Sequence, residues 1–389
     1  MKDSVNKLEK LIVELCPNGV QWVVLKSLGR RNSGTNITAA RMKELHQDGA
    51  PIRIFAGGST VADVPFDVIP GNDVIKDPSI IVKSRGYIGF EYYEKPFSHK
   101  NEFWSYTIQD KNINQKFIYY YLLTQINKFQ KRARAVSVKI PQLSVADTDD
   151  FKIPIPPLPI QQEIVKILDT FTELEAELEA ELEARKKQYE YYRDELLTFG
   201  ENVEWKTIGE VATNLDSKRK PVTKGNREEG EYPYYGASGI VDYVSDYIFD
   251  GDYLLVSEDG ANLLARVTPI AFSASGKIWV NNHAHVLEFK TYTEKKFIEY
   301  YLNMIDLSRF ISTAAQPKLT QDNLNKIPIP IPPLTEQERI VAILDKFDAL
   351  VNDISVGLPA ELNARRKQYE YYRDKLLTFK LMEKEYAKQ

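Results

Sequence analysis

Two nearly identical segments decide the fold: residues 184–199 read "ARKKQYEYYRDELLTF", and residues 364–379 read "ARRKQYEYYRDKLLTF". Fourteen of the sixteen positions are identical, and the exceptions are a Lys-to-Arg exchange and Glu195 against Lys375. A charged, tyrosine-rich segment that recurs this closely after 180 residues predicts an internally duplicated chain.

The duplication extends upstream of these segments. "IPIPPLPIQQEIVKILDTF" (153–171) matches "IPIPPLTEQERIVAILDKF" (329–347), and "KFIYYYL" (116–122) matches "KFIEYYL" (296–302). The regions further upstream agree only in outline. Each half of the chain therefore consists of a variable region, a proline-rich hinge and a long helix.

The segment after the first hinge has helical spacing. The prolines of the hinge are followed by an apolar stripe with i, i+4, i+7 periodicity. The stripe continues through three "ELEA" tetrads into the tyrosines of 184–199. This pattern predicts one helix over 160–199, about 60 Å long at 1.5 Å per residue. In the second copy Gly357 and Pro359 predict a break, with helices over about 336–354 and 359–381.

A long helix with one apolar stripe needs a partner, and the second arm of the same chain is the obvious candidate. We expect the arms to pack antiparallel. We expect the tyrosines in this stripe to pack between the arms rather than to stack on the bases of a nucleic acid. The residues predicted to pack between the arms are Leu174, Leu178, Leu182, Tyr189, Tyr192, Leu196, Tyr369, Tyr372 and Leu376.

The variable regions indicate an α/β (α+β) fold. "PSIIVKSRGYIGF" and "DYLLVSEDGAN" are typical of strands that end in glycine-containing loops, whereas "NQKFIYYYLLTQINKFQKR" and "EKKFIEYYLNMIDLSRFI" are typical of amphipathic helices. The predicted organisation is an N-terminal helix (1–16), a first variable domain (17–152), a hinge with the central helix (153–199), a second variable domain (200–327), and a second hinge with the distal helices (328–389).

Composition narrows the classes of function. The chain has 389 residues, one cysteine and four histidines, and no apolar run of membrane-spanning length. Because His283 and His285 alone are too few ligands, we expect no metal site, and we expect a cytoplasmic protein. The net charge is −4, but residues 17–152 contain 19 Lys and Arg against 13 Asp and Glu. A basic first region is compatible with binding nucleic acid.

Motifs of catalysis are missing from the sequence. There is no P-loop, GxGxxG or GxSxG pattern, and "FAGGSTVAD" (55–63) lacks the spacing of a phosphate-binding loop. The acidic pairs Asp250/Asp252 and Glu258/Asp259 fit turn residues at strand ends better than the metal-binding residues of a nuclease. The sequence therefore predicts a recognition or scaffold protein without catalytic residues.

Basic, amide and aromatic side chains on loops are the candidates for contact with DNA. Arg and Lys neutralise phosphates, and Arg, Asn, Gln and Glu can read base edges. For any one of them, a solvated surface charge is the alternative. The candidates are Lys83, Ser84, Arg85, Tyr87, Lys100, Arg132, Arg134, Lys139, Lys218, Arg219, Lys220, Ser257, Asn262, Lys277, Gln316 and Lys318.

The whole pattern resembles the specificity subunits of type I restriction–modification systems. The resemblance rests on "ELCPNGV" (14–20), the duplicated "IPIPPL" hinges, the "ELEA" tetrads before "ARKKQYEYYRDELLTF", and "GLPAELNARRKQYEYYRDKLLTF" near the end. It implies two recognition domains that each read half of a bipartite DNA site, separated by antiparallel helices. No base-contacting residue can be transferred from the family, because its recognition domains vary freely.

The resemblance also implies that catalysis belongs to partners. Two modification subunits would transfer methyl groups from S-adenosylmethionine to adenine, and motor-nuclease subunits would cut unmodified DNA, so S-adenosylmethionine, Mg and ATP are expected on the partners alone. Deleting one tetrad, for example 177–180, would shorten the helix by about 6 Å and the gap between half-sites with it. Two alternatives stay open: a coiled-coil adaptor that does not read DNA, and an enzyme whose motifs have diverged.

Overall fold

The computed structural model describes residues 2–137, 139–312 and 316–382. The chain divides into two compact units, of which unit 1 is Met1–Glu177 with Leu362–Gln389 and unit 2 is Leu178–Glu361. Both units mix helices and sheets, as expected of an α+β protein. The predicted recognition and distal regions include residue 138, residues 313–315 and residues 383–389, which lie outside the described residues.

Unit 1 begins with a helix and continues as two small antiparallel-rich sheets with helices beside them. The four-stranded sheet has the order β2-β8-β5-β6, and the three-stranded sheet has the order β4-β3-β7. Its elements are α1 (Lys2–Leu15), β1 (Gln21–Val24), β2 (Gly29–Asn32), α2 (Ala39–Leu45), β3 (Ile52–Phe55), β4 (Val61–Val64), β5 (Ser79–Lys83), β6 (Gly89–Tyr93), β7 (Phe97–His99), β8 (Trp104–Ile108), α3 (Gln115–Thr124), α4 (Ile126–Val136), α5 (Val145–Asp149), β9 (Lys152–Ile155) and the start of α6 (Leu158–Leu197).

Unit 2 has a single six-stranded sheet of order β11-β16-β14-β15-β12-β13. Its long strand β15 pairs with both β14 and β12, whereas in unit 1 the equivalent pairings are made by two separate strands, β6 and β7. Its elements after α6 are β10 (Glu204–Thr207), α7 (Ile208–Val211), β11 (Thr213–Asn214), β12 (Glu229–Gly236), β13 (Gly239–Val244), β14 (Phe249–Ser257), α8 (Asn262–Ala265), β15 (Ala271–Val280), β16 (Ala284–Glu288), α9 (Tyr292–Met304), β17 (Ile311–Ser312), β18 (Lys318–Leu319), α10 (Gln321–Asn325), β19 (Pro328–Ile331), α11 (Leu334–Val351) and the start of α12 (Leu358–Leu376), most of which belongs to unit 1.

The sequence prediction of the helices needs two corrections. The segment "EKKFIEYYLNMIDLSRFI" (294–311) is helical only as far as Met304, because Ile305 has an extended backbone with φ −73° and ψ 150°, and it continues as a 3-10 turn and strand β17. The segment "NQKFIYYYLLTQINKFQKR" forms two helices, α3 and α4. Helix α3 ends before Gln125, whose backbone N–H donates to the carbonyls of Leu122 and Leu123. The predicted central and distal helices are present with shifted ends. The predicted break lies between α11 and α12, where a side chain on Gly357 would come within 2.3 Å of the carbonyl oxygen of Ala349.

The two hinges repeat in structure as they do in sequence. β1 pairs antiparallel with β9, placing Trp22 opposite Pro154, and β10 pairs with β19, placing Trp205 opposite Pro330. The first turn of the following helix is closed by a buried glutamine in each unit. Gln161 Nε2 donates to the carbonyl of Pro156 at 2.7 Å. After β19, Gln337 Nε2 donates to the carbonyl of Pro332 at 2.9 Å.

In unit 1 the first half of α6 packs against α12. The ring of Phe171 stacks on Tyr372 with centroids 5.5 Å apart and meets Tyr369 edge-on at 6.2 Å. Further along α6, Glu175 Oε1 accepts a hydrogen bond from Arg366 Nε at 2.6 Å. Because the partner numbers fall as the α6 numbers rise, the two helices run antiparallel.

In unit 2 the second half of α6 packs against α11 with the same aromatic residues in exchanged roles. Tyr192 stacks on Phe347 at 5.8 Å, and Tyr189 lies 6.4 Å from the same ring. Leu197 shares a buried core with Ile340. The repeated segment thus performs the same packing once in each unit.

The remaining residues predicted to pack between the arms differ in burial. Leu376 is buried in the unit 1 core, and Leu196 packs at the edge of the unit 2 core. The tetrad leucines Leu174, Leu178 and Leu182 are only half-buried and belong to no described core cluster. Tyr192 stacks on Phe347 although 39% of its surface is exposed. No helix in the described part of the chain is long and apolar enough to cross a membrane.

Candidate nucleic-acid interface

A loop after the central strand β5 is paired with a proline-containing loop in unit 1. The N–H of Leu143 donates to the carbonyl of Ser84 at 2.8 Å, and the N–H of Gly86 donates to the carbonyl of Pro141 at 2.8 Å. Arg85 and Gln142 lie opposite each other between these two bonds. We call this feature, 84–86 with 141–143, the paired loop of unit 1.

Unit 2 contains the same arrangement after its central strand β14. The N–H of Leu319 donates to the carbonyl of Glu258 at 2.8 Å, and that of Gly260 to the carbonyl of Pro317 at 3.1 Å. Asp259 faces Lys318 between these bonds. This feature, 258–260 with 317–319, is the paired loop of unit 2.

The two paired loops turn at equivalent glycines. Gly86 has φ +77° and Gly260 has φ +109°, a region that residues with a side chain rarely adopt. Since side chains alternate in extended backbone, the neighbours before the glycine point to opposite sides. Ser84 and Glu258 are accordingly buried, whereas Arg85 is exposed and Asp259 is partly exposed.

The paired loop of unit 2 lies on a buried cluster of charges. Arg219 Nη1 donates to Glu258 Oε2 at 2.5 Å, and its Nη2 lies 3.1 Å from Asp216 Oδ2. Lys318 Nζ lies 3.0 Å from Glu258 Oε1. His285 Nδ1 faces Asp216 Oδ2 at 2.5 Å, and its Nε2 faces the carbonyl of Leu319 at 2.8 Å. The cluster therefore connects four chain segments, two of which form the paired loop itself.

Both carboxylates of this cluster are held ionised. Burial raises the pKa of Asp216, but the hydrogen bond from His285 and further donors outweigh it, so the pKa lies below its ordinary value. Burial likewise raises the pKa of Glu258, and the hydrogen bonds from Arg219 and Lys318 lower it by more. The positive charges of the cluster thus compensate its two buried negative charges.

The same place in unit 1 is held by neutral groups. Ser84, at the position of Glu258, donates from Oγ to the carbonyl of Glu102. Trp104, at the position of His285, donates from Nε1 to Thr148 Oγ1 at 2.9 Å. One backbone arrangement is therefore supported by hydrogen bonds in unit 1 and by ion pairs in unit 2.

The cluster of unit 2 also brings three atoms of metal-binding type within 4.8 Å of one another, on Asp216, Glu258 and His285. The guanidinium of Arg219 already contacts both carboxylates, so a cation there would meet a positive charge. His283, the other histidine considered from sequence, is half exposed and bonds Asp259 at 2.8 Å. We therefore interpret the group as a salt-bridge cluster.

The structure brings several predicted DNA-contact residues of unit 1 together around its paired loop. Arg85 is exposed, and 71% of the surface of Tyr87 is accessible. Helix α4 ends beside the loop, because the N–H of Gln142 donates to the carbonyl of Ala133 at 3.4 Å. The exposed residues Arg132, Arg134 and Lys139 lie on this helix and on the chain that follows it.

Three other candidates in unit 1 are occupied within the protein. Ser84 is fully buried, which leaves no room for direct contact with DNA. Lys83 Nζ lies 2.6 Å from Glu91, and Lys100 Nζ lies 2.7 Å from Glu102.

The candidates of unit 2 divide in the same way. Gln316, Lys318, Lys218 and Lys220 are exposed on segments that meet at or flank the cluster. Lys277 is exposed but lies against Tyr247, 4.7 Å from the ring centroid, rather than in the paired loop.

Three candidates of unit 2 hold the fold. Ser257 is buried and donates to the carbonyl of Ala237, and Arg219 is bound within the charge cluster. Asn262 uses both ends of its amide on the backbone of Thr268, at 2.9 and 3.1 Å. These contacts leave the three side chains supporting the loops rather than facing outward.

Two residues of the paired loops, Gln142 and Asp259, are missing from the DNA-contact candidates named from the sequence, where Asp259 was interpreted as a turn residue at a strand end. A signal for Gln142 was present. "PQLS" (141–144) and "PKLT" (317–320) are 176 residues apart, the same offset as the two hinges. Extending the repeat upstream at constant offset would have identified Gln142 as the counterpart of Lys318.

The fold and the paired loops define a duplicated binding protein, in which each unit presents its own side chains on a shared framework. The sequence model of the family described as the type I restriction modification DNA specificity domain matches residues 71–184 and 200–364. These ranges cover more than half of the chain, so the chain belongs to this family.

Relatives agree with this assignment. A putative type I restriction enzyme specificity subunit of Haemophilus influenzae is 43% identical over 194 residues, which span 49% of this chain and 50% of that relative. A type I restriction enzyme specificity subunit of Escherichia coli is 36% identical over 298 residues, covering 68% of this chain and 70% of the relative.

A solved structure supports the fold. The S subunit of a type I restriction-modification system from M. genitalium has a TM-score of 0.61 at 20% sequence identity, and the match covers 92% of this chain and 96% of that chain. At this identity the likeness concerns the fold and not the residues of the site.

Proposed function

We propose that this chain is the DNA sequence-specificity subunit of a type I restriction–modification complex, and that each variable region reads one half of a bipartite site. The observation that carries the proposal is the pair of equivalent loops, which have the same backbone bonds but different outward side chains, Arg85 and Gln142 against Asp259 and Lys318. A protein that reads two unlike half-sites needs this combination of constant framework and variable surface.

Linkage of the two readers explains why one chain carries both. When one unit is bound, the second binding event becomes intramolecular, so two short half-sites together give an affinity that neither gives alone. The basic side chains around the paired loop of unit 1, among them Arg132 and Arg134, would bind phosphates and position the loop. We propose that the helical arms set the gap between the half-sites.

We propose that the arms also bind two modification subunits. The observation behind this is an exposed tyrosine at the same place in each copy: Tyr191 is 64% exposed and Tyr371 is 62% exposed. Each ring stands edge-on to its neighbour, Tyr192 or Tyr372, at 5.4 Å. Identical surfaces presented twice suit two identical partners, and exposed tyrosine is enriched where proteins bind proteins.

In this proposal the chain itself is not an enzyme and works in the cytoplasm. Methyl transfer from S-adenosylmethionine to adenine and the ATP- and Mg-dependent cleavage of DNA belong to the modification and motor-nuclease subunits. The role of this chain is to select where they act.

The same exposed tyrosines favour a second candidate, an adaptor that assembles proteins without reading DNA. Salt dependence separates the two. Binding of the assembled complex to duplex DNA should weaken steeply as salt rises, because Lys and Arg side chains release counterions from phosphates. An adaptor would show no specific duplex binding at any salt concentration.

The direct experiment is to express this chain with modification subunits of its own system and to map methylated adenines in the host genome. We expect one motif made of two half-sites around a gap of fixed length. Assembly of the complex without any motif would contradict the proposal.

A further inference from the structure

We propose that the two opposite residues of each paired loop read base edges in the major groove of duplex DNA. These are Arg85 with Gln142 in unit 1, and Asp259 with Lys318 in unit 2. The inference rests on the proposed function and assigns its sequence reading to four positions, two of which, Gln142 and Asp259, are not among the DNA-contact candidates named from the sequence.

The hydrogen-bond pattern places each pair side by side. Arg85 and Gln142 lie between the bonds that join their neighbours, and so form a non-hydrogen-bonded antiparallel pair. In such a pair the Cα atoms are about 4.5 Å apart and the two side chains leave the same face. Asp259 and Lys318 have the same relation.

Alternation of the extended backbone aims that face outward. In unit 1 the flanking Ser84 and Leu143 are buried, and in unit 2 the flanking residues are buried as well. The opposite side chains therefore point away from the core. A two-stranded ribbon is one of the shapes that fits the major groove of B-DNA, where each base pair presents a distinct set of donors and acceptors.

The side chains of unit 1 are free to make such contacts. Among the described residues, the guanidinium of Arg85 and the amide of Gln142 make no hydrogen bond or salt bridge. Arg85 has only an electrostatic effect on Glu102, a carboxylate that is already paired with Lys100 at 2.7 Å. Arg bonds the O6 and N7 acceptors of guanine, and Gln pairs with N6 and N7 of adenine. Unit 1 is therefore suited to a half-site in which guanine and adenine are read side by side.

The side chains of unit 2 offer a different pair of groups. The carboxylate of Asp259 can accept from the amino group of cytosine, and Lys318 can donate to guanine. Within the chain, Asp259 contacts His283 Nδ1 at 2.8 Å, and Lys318 lies 3.0 Å from Glu258. Because Arg219 also holds Glu258, Lys318 can turn to DNA without leaving that carboxylate unpaired.

The experiment uses the chain assembled with its modification subunits, in parent form and as Arg85→Ala and Gln142→Ala. Binding to a library of duplexes and the map of methylated adenines are measured together. We expect discrimination at one or two base pairs of a single half-site to fall by roughly tenfold to a hundredfold. The other half-site and the gap should not change. Asp259→Asn should alter the opposite half-site only.

The control is Arg41→Ala, which removes another exposed guanidinium of unit 1, one that bonds Glu44 at 3.0 Å on α2. It should leave the motif unchanged. The inference is overturned if the motif of Arg85→Ala and Gln142→Ala is that of the parent, or if binding weakens equally at all sequences with a salt slope smaller by about one, as for a phosphate contact. Absence of any motif from the parent complex would instead contradict the proposed function.

Discussion

The paired loops of the two units have one backbone and two kinds of support. In unit 1 the residue beneath the loop is Ser84, bonded to a carbonyl, whereas in unit 2 it is Glu258, bonded to Arg219 and Lys318. The backbone bonds and the glycine turn are the same in both. The difference teaches that the framework is specified by backbone pairing and hinge, while the groups under and on the loop can be exchanged.

The largest effect should come from removing the shared donor of the charge cluster. Arg219→Ala leaves the buried carboxylates of Asp216 and Glu258 short of a partner, which typically costs about 3–5 kcal/mol. Urea denaturation of the full chain should show this loss in the free energy of unfolding of unit 2. Ser84→Ala, which removes the neutral hydrogen bond beneath the loop of unit 1, should cost about 1 kcal/mol. Equal losses would mean that the two supports do not differ.

Removing one tyrosine hydroxyl from a helix contact that both units share should reduce the free energy of unfolding by an intermediate amount. The reduction should be equal in the two units. The hydroxyl of Tyr120 donates to Asp169 at 2.6 Å, and that of Tyr300 donates to Asp345 at 2.6 Å. Burial, followed by the neighbouring carboxylate, raises the pKa of both tyrosines.

The changes Tyr120→Phe and Tyr300→Phe should each reduce the free energy of unfolding by about 1–3 kcal/mol, the range for a hydrogen bond to a charged group. Each carboxylate keeps a second contact, with Lys116 in unit 1 and Tyr292 in unit 2, both at 3.1 Å. Chemical denaturation of both variants tests the repeat. Losses that differ by more than about 1 kcal/mol would contradict the equivalence of these two helix contacts.

The smallest expected effect is on the pH dependence of stability in acid. The pKa values of Asp216 and Glu258 are lowered by folding, so their contribution to stability is complete above their unfolded values, near 4, and is lost as the pH falls through the lower folded values. Glu258→Gln should therefore make the melting temperature less dependent on pH between about 5 and 3. Ser84→Ala should keep the pH dependence of the parent. An unchanged slope for Glu258→Gln would contradict the ionised cluster.

The arms and hinges could be predicted from the sequence because their signals are local. Prolines end the strands before each helix, a stripe of one period marks α6, and Gly357 with Pro359 marks the break before α12. The aromatic arm contacts followed from the same stripe. The ends moved by a few residues, since the last turn of a helix depends on what it packs against.

The reading loops could not be predicted in the same way. The pairing of Ser84 with Leu143 joins residues from distant parts of the sequence, and no local pattern encodes it. Arg219 looks like a surface residue within "DSKRK", and its burial depends on Glu258 and Asp216 meeting it in the folded unit. Whether a charged side chain is exposed depends on the tertiary structure. DNA-contact candidates chosen by charge alone therefore included exposed side chains as well as side chains that are bound within the protein.

The most direct test of the account exchanges one reader and leaves the other. Residues 17–152 are replaced by the variable region of another member of the family, and methylated adenines are mapped for the complex with its modification subunits. If each variable region reads one half-site, one half-site changes, while the second half-site and the gap stay as they are in the parent. A change in both half-sites, or in neither, would contradict this assignment.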